Sequence, residues 1–217
     1  MDTFLNDSRQ FLPILLQGAV VTVLVTLSSL ALSTVLGLVW ALMRVSQVPG
    51  LVQLSKAIVN TIRGIPIIVQ LFYIYFVLPD LGIELSAFQA GVIGLGIAYS
   101  AYQAENFRAG IEAIDTGQIE AAESLGMARR LVLRRVILPQ AFRITLPSYG
   151  NTMIMLLKDS SQASTITVAE LALKGKLIAS STFKNMTVFT LVALFYLLLS
   201  VPLILLTARL ERKFGRK

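Results

Sequence analysis

Residues 120–139 read EAAESLGMARRLVLRRVILP, a charged stretch set among segments that otherwise look built for lipid. Ala121, Leu125, Ala128, Val132 and Val136 recur every three to four residues and predict one apolar helix face. Glu120, Glu123, Ser124, Arg130 and Arg134 fall largely on the other faces. Acidic residues lead and basic ones follow, the order that complements a helix dipole. Gly126 predicts a sharp bend into a second short helix, and Pro139 marks where the next long segment begins. Two roles suit such an element: an interfacial helix held by anionic lipid through its arginines, or a docking surface for a soluble partner. Glu120 and Glu123 weigh against lipid attraction alone, because an anionic surface repels carboxylates.

The chain around this stretch is that of an integral membrane protein. Of its 217 residues 55% are hydrophobic and only 14% are charged, well away from the composition of a soluble domain. A cleaved signal peptide is not expected: Asp2 and Asp7 stand where a basic region would be, and the apolar run from Ala19 to Met43 is too long. The absence of Cys and His removes disulfides, thiolate and imidazole metal ligands, thiol nucleophiles and the usual general base, so an enzyme is not expected. The net charge of +7 does not point to nucleic acid, since the basic residues cluster beside apolar segments.

A bilayer core takes about 20 mostly apolar residues per helix. Five segments meet or approach that length, at approximately 14–43, 54–79, 87–111, 138–158 and 185–208, which predicts an all-α polytopic protein with five spans and a single domain over 1–217. The first and last are secure by hydrophobicity. The second carries Arg63, Gly64 and Pro66, and the fourth carries Pro139, Arg143, Pro147, Gly150 and Asn151, so both need protein neighbours or a wet cavity. In the third, Ala87 to Gly91 and Gly94 to Ala98 have the small-residue spacing of a packed inner helix.

Basic residues fix the expected orientation. Arg44 ends the first span, Arg129, Arg130, Arg134, Arg135 and Arg143 separate the third from the fourth, and Arg209, Arg212, Lys213, Arg216 and Lys217 close the chain. The positive-inside bias puts the amino end outside and the carboxyl end in the cytoplasm. Lys174, Lys176 and Lys184 run against that pattern on the outer side. Arg143 is explained by snorkelling near the start of its span.

The segment 120–139 resembles the EAA loop of permease subunits in binding-protein-dependent ATP-binding cassette importers: EAA, three residues, Gly, nine residues, an Ile position, one residue, then Leu-Pro. Here Glu120, Ala121, Ala122, Gly126, Leu138 and Pro139 match, with Val136 at the Ile position. RGIPIIVQLFYIYFVLP from Arg63, AYQAENFRAGI from Ala101, VILPQAFRITLPSYGN from Val136 and LLKDSSQAS from Leu156 resemble the polar amino-acid branch, so the likeness covers about residues 15–210. Gln162 departs from it, standing where an apolar residue is expected. The resemblance implies a type I importer permease fold, with a coupling loop at about 112–139 that lies in a groove of a cytoplasmic ATPase. Glu120, Ala121, Ala122 and Gly126 would carry that contact and its bend. It implies two ATPase subunits, a second permease copy or close homologue, an extracytoplasmic binding protein, and a bacterial or archaeal cytoplasmic membrane. No GxxxxGK[ST] occurs in the chain, so no cofactor is expected on it, and ATP and Mg belong to the partner ATPase.

Ionisable side chains within spans are costly and usually face a cavity or the bundle interior. Arg63, Glu105, Lys158 and Asp159 are the candidates. Ala98, Tyr102, Glu105 and Ala109 share one helix face, so Tyr102 and Glu105 can present a ring and a carboxylate to the same space. Asp159 opens DSSQASTIT one residue after MIMLL, a polar run suited to a broken helix beside a wet site. Glu105 or Asp159 could pair with a substrate ammonium, while Arg63, Ser160 and Ser161 could hold its carboxylate. Gln70 is a weaker candidate for the path. Against these stands a structural pair of Arg63 with one acid that braces the bundle. The two carboxylates favour a cationic substrate, arginine, lysine or histidine, with glutamine or glutamate as the alternative. A membrane scaffold accounts for the composition but not the EAA spacing, and an intramembrane hydrolase would rest on Ser160 and Lys158 alone.

Overall fold

A computed structural model describes residues 2–46 and 48–214, so Arg216 and Lys217 of the terminal basic cluster lie outside the described residues. Among the described residues there is no strand. Helix α1 (Asp2–Val45) is followed by α2 (Pro49–Gly64) and α3 (Ile67–Phe72), which runs on through a wide turn at Tyr73–Val77 and a tight one at Leu78–Leu81. Then come α4 (Ala87–Glu112), α5 (Thr116–Ser124), α6 (Arg129–Val132), α7 (Leu138–Asp159), α8 (Leu171–Thr182) and α9 (Asn185–Phe214). A wide turn at Leu133–Ile137 joins α6 to α7 without a break.

Among the described residues, two helices are long and apolar enough to cross a membrane by length and composition alone, α1 from Asn6 to Val45 and α9. The expected second span is broken: Pro49–Gly64 and Ile67–Leu81 meet at 97°. Pro66 has no N–H with which to continue α2, and it forces Ile65 into extended backbone at φ −106, ψ 128. The expected third and fourth spans, α4 and α7, have 26 and 22 residues, about 39 and 33 Å at 1.5 Å per residue. Their polar side chains are matched to one another: Asn106 Nδ2 donates to Thr152 Oγ1 at 2.9 Å, and Tyr99 OH donates to Asp159 Oδ2 at 2.7 Å. Pairing across helices removes the cost of leaving such groups alone in hydrocarbon.

Helices α1 and α4 run parallel, with Ser29 against Val92, Leu32 against Gly96, and Gly37 against Ser100 and Gln103. A Cβ on Gly37 would lie 2.6 Å from Gln103 Cβ and 2.9 Å from the Ser100 carbonyl oxygen. Helix α7 runs antiparallel to α4, with Thr145 against Gly110 and Asp159 against Tyr99. Gly91, Gly94 and Ala98 are all buried, as the small-residue spacing in α4 predicts, and Gly94 receives Leu71 of α3. Gly37→Leu is expected to force α1 from α4 and lower stability by roughly 1–3 kcal/mol, the usual range for overpacking. Thermal melting in detergent checks it, with Gly50→Leu as the control, since nothing lies within 4 Å of a Cβ there.

Glu170 is fully buried where α1, α8 and α9 meet. It caps α8 by accepting from the N–H groups of Ala172 at 2.9 Å and Leu173 at 2.7 Å. Tyr196 OH donates to it at 2.8 Å and Thr22 Oγ1 at 3.4 Å, while Thr22 accepts from the N–H of Leu171 at 3.1 Å. At the amino end of α1, Lys184 pairs with Asp7, which neutralises one of the three lysines that run against the charge pattern.

Candidate functional site

The break between α2 and α3 exposes Arg63, in the last turn of α2, toward α4. Its guanidinium carbon lies 5.9 Å from the centroid of the Tyr102 ring, within cation–π range. Tyr102 packs on Tyr99 with centroids 5.5 Å apart, and Tyr99 holds the Asp159 carboxylate through Oδ2. A continuous chain of contacts, Arg63 to Tyr102 to Tyr99 to Asp159, therefore links α2, α4 and α7. Tyr99 is 1% exposed, and the sequence reading passed over it. Its position three residues before Tyr102 was the available signal.

No ion pair joins Arg63 to an acid among the described residues. The bracing pair is made elsewhere: Arg108 donates to Glu105 through Nη2 at 2.6 Å and Nε at 2.9 Å, and also reaches Glu112. Glu105 shares a helix face with Tyr102, as expected, but it is compensated one turn along α4. Arg108 was missed although its three-residue and four-residue spacings to the two acids are legible in the sequence.

Gln70 is committed to the break itself. Its Nε2 donates to the carbonyls of Ile62 at 2.9 Å and Ile65 at 2.8 Å, groups that lost their helical partners at Pro66. Ser160 is fully buried with its hydroxyl on the Leu157 carbonyl at 2.8 Å, and Ser161 donates to the Lys158 carbonyl at 2.7 Å. Both serines thus spend their donors on the final turn of α7, and this structure does not present Ser160 at the cluster's surface.

The loop between α4 and α7 builds a second site. Asp115 caps α5 by accepting from the N–H of Gly117 at 2.7 Å. Helix α5 stops at Gly126, whose φ of +76 lies in the left-handed region. The N–H of Met127 reaches the Ala122 carbonyl at 3.2 Å and that of Gly126 reaches Glu123 at 2.9 Å, the paired bonds of a Schellman stop. The expected bend is present, but the expected apolar face does not run through it. Ala122, Val132 and Ile114 are buried against the protein, whereas Ala121, Ala128 and Leu125, at 83% exposure, face outward. The bend resets the helical phase, so periodicity counted across Gly126 groups residues that point in different directions. Glu120, Ala121 and Leu125 are left as an exposed patch of two apolar side chains beside a carboxylate. Among the described residues, no cluster of His, Cys, Asp or Glu could hold a metal ion.

Residues 33–216 match the family described as "Binding-protein-dependent transport system inner membrane component". The chain belongs to this family. The permease is 39% identical over 207 residues to "Probable amino-acid permease protein YxeN" of Bacillus subtilis, which covers 94% of this chain and 92% of the relative. It is 40% identical over 195 residues to "Probable glutamine ABC transporter permease protein GlnM" of the same organism, covering 90% of each. The solved "Crystal structure of an amino acid ABC transporter with histidines" superposes with a TM-score of 0.89 at 36% identity, over 95% of this chain and 97% of that one. The protein is accordingly an amino-acid ABC transporter permease with the importer permease fold, a transport component and not an enzyme.

Proposed function

We propose that this permease lines half of the translocation path for a polar amino acid of the cationic set, arginine, lysine or histidine. The single observation that carries this is the contact chain from Arg63 to Asp159 beside the broken span. Arg63 keeps its guanidinium free to take a carboxylate, and Asp159 keeps Oδ1 free to take an ammonium. Tyr102, 36% exposed, offers a ring to either charged end. Glu105 faces the same space, and Gln70, Ser160 and Ser161 support its walls. The solved amino acid ABC transporter with histidines is in keeping with this set. A glutamine or glutamate substrate is the second reading, favoured by Arg108 already compensating Glu105 and by the relative named for glutamine.

On the same reading the chain is one five-span domain, with its amino end outside and its carboxyl end in the cytoplasm. The parallel run of α1, α4 and α9 supports this, since it gathers Arg44, the loop arginines, Arg209, Arg212 and Lys213 at one end of the bundle. Cytoplasmic ATPase subunits carrying ATP and Mg dock on Glu120 and Ala121, while Ala122, buried against the protein, and Gly126 at the bend hold that surface in place. A second permease copy or close homologue completes the path, and an extracytoplasmic binding protein delivers the amino acid.

The test is ATP-driven uptake into proteoliposomes containing the cognate ATPase and binding protein, with arginine, lysine, histidine, glutamine and glutamate compared in parallel. Uptake confined to the first three is expected. Asp159→Asn should lower it by at least about tenfold, the value of a charge-assisted hydrogen bond, while leaving assembly intact. Uptake of glutamine or glutamate in their place would retire the cationic assignment, and an unimpaired Asp159→Asn would remove the carboxylate from the site.

A further inference from the structure

An apolar groove of about 670 Å³ opens between the carboxyl half of α1, the end of α4 and the start of α7. Its walls include Leu38, Phe107, Ile111, Leu138, Phe142 and Leu146. The volume lies within the roughly 300–1,000 Å³ of ordinary ligand clefts. The polar atoms in the wall are satisfied internally: Thr34 Oγ1 and Tyr149 OH hydrogen-bond each other at 2.8 Å, and Thr145 Oγ1 donates to the Ala141 carbonyl at 2.8 Å. A polar amino acid would find no free partner there, so the groove is no branch of the path described above. Its occupant must be hydrocarbon.

Charge decides which hydrocarbon. Arg134 and Arg135 lie within four residues of Leu138, and Arg143 adjoins Phe142, which is 66% exposed at the groove's edge. All three arginines are exposed, and none makes an ion pair among the described residues. The groove also lies toward the end of the bundle that holds Arg44 and the loop arginines, where the chain leaves the hydrocarbon for water. A molecule with an apolar tail and an anionic phosphate head satisfies both features at once.

We propose that the groove binds one acyl chain of an anionic phospholipid from the cytoplasmic leaflet, with its phosphate held by Arg134, Arg135 and Arg143. The leaflet assignment rests on the orientation proposed above, whereas the groove and its arginines do not. The lipid would fill the seam between α4 and α7 next to the Gly110–Thr145 contact, where the two helices approach closely. Dispersion contacts there would hold the start of α7 against α1.

The experiment uses the whole importer in nanodiscs of phosphatidylglycerol or of phosphatidylcholine, each carrying a photoreactive group on its acyl chain, with adducts mapped by mass spectrometry. Adducts are expected on residues 138–149 and the facing positions of α1 and α4, and they should be stronger with phosphatidylglycerol. Each of Arg134→Gln, Arg135→Gln and Arg143→Gln should cut phosphatidylglycerol labelling by about fivefold, the effect of one basic residue at an anionic surface. Phosphatidylcholine, whose phosphate is offset by its own choline, should lose less labelling. Because Arg134 and Arg135 adjoin the docking loop, Arg143→Gln is the variant that decides if the others fail to assemble, and Phe142→Ser should reduce labelling with both lipids. Equal labelling by the two lipids would overturn the anionic site, and no adducts on residues 138–149 from either lipid would overturn the groove as a lipid site. Loss of amino-acid uptake with labelling intact would count against the transport reading alone.

Discussion

Glu170→Ala is expected to lower the melting temperature of the purified transporter by on the order of 10 °C. The substitution strips an acceptor from the hydroxyl of Tyr196, from Thr22 and from the N–H groups of Ala172 and Leu173, all at a position with no access to water. Each buried polar group left unpaired costs about 1–3 kcal/mol, and the losses overlap because one carboxylate serves them all. At about 2–4 °C per kcal/mol for a chain of this size, a combined loss of roughly 3–4 kcal/mol gives the stated shift. Glu170→Gln keeps an acceptor oxygen and should fall between wild type and alanine. Tyr196→Phe removes one bond and should move the midpoint by only a few degrees. Melting of Glu170→Ala within two degrees of wild type would show that α1, α8 and α9 are held by apolar packing alone.

Gly126→Val should abolish ATP-driven uptake while leaving the inserted bundle as stable as before. The left-handed backbone at Gly126 is open to few residues, and a β-branched one is a steric outlier there. A Cβ at this position meets nothing within 4 Å, so the effect is confined to the turn that aims Glu120, Ala121 and Leu125. Gly126→Asn is the matched control: asparagine tolerates the left-handed region and should retain most activity. Glu120→Ala should weaken copurification of the ATPase without altering the bend. The docking assignment fails if the valine variant copurifies the ATPase and transports normally.

Much of this architecture was legible in the sequence because its causes are local. Gly126 marks the bend, and Pro66 carried the signal for a break that the expectation of one span over 54–79 left unused, since each constrains backbone torsions whatever surrounds it. The small residues of α4 announced a packed inner helix because they let a neighbouring helix approach. What was not legible depends on partners distant in the chain. Nothing in the local sequence singles out Glu170, because its side-chain donors come from positions 22 and 196. Ser160 and Ser161 suggested a polar lining by composition, yet a hydroxyl at the end of a helix has a carbonyl one turn back within reach, and both took it. The apolar face counted across residues 121–136 failed because periodicity carries information only as long as the helix is uninterrupted.

The continuous helical run from Arg129 to Asp159 joins the proposed docking loop to the proposed substrate cluster. Part-way along it, Thr145 packs closely against Gly110 of α4, a point that would serve as a pivot. The arm on the loop side measures about 24 Å and the arm on the Asp159 side about 21 Å at 1.5 Å per residue. With arms so nearly equal there is neither gain nor loss of stroke. If the run pivoted there as one body, a sideways displacement at Arg129 would reach Asp159 at almost the same size and with opposite sign, and a shift of a few ångströms would exceed the 2.7 Å bond from Tyr99 to Asp159.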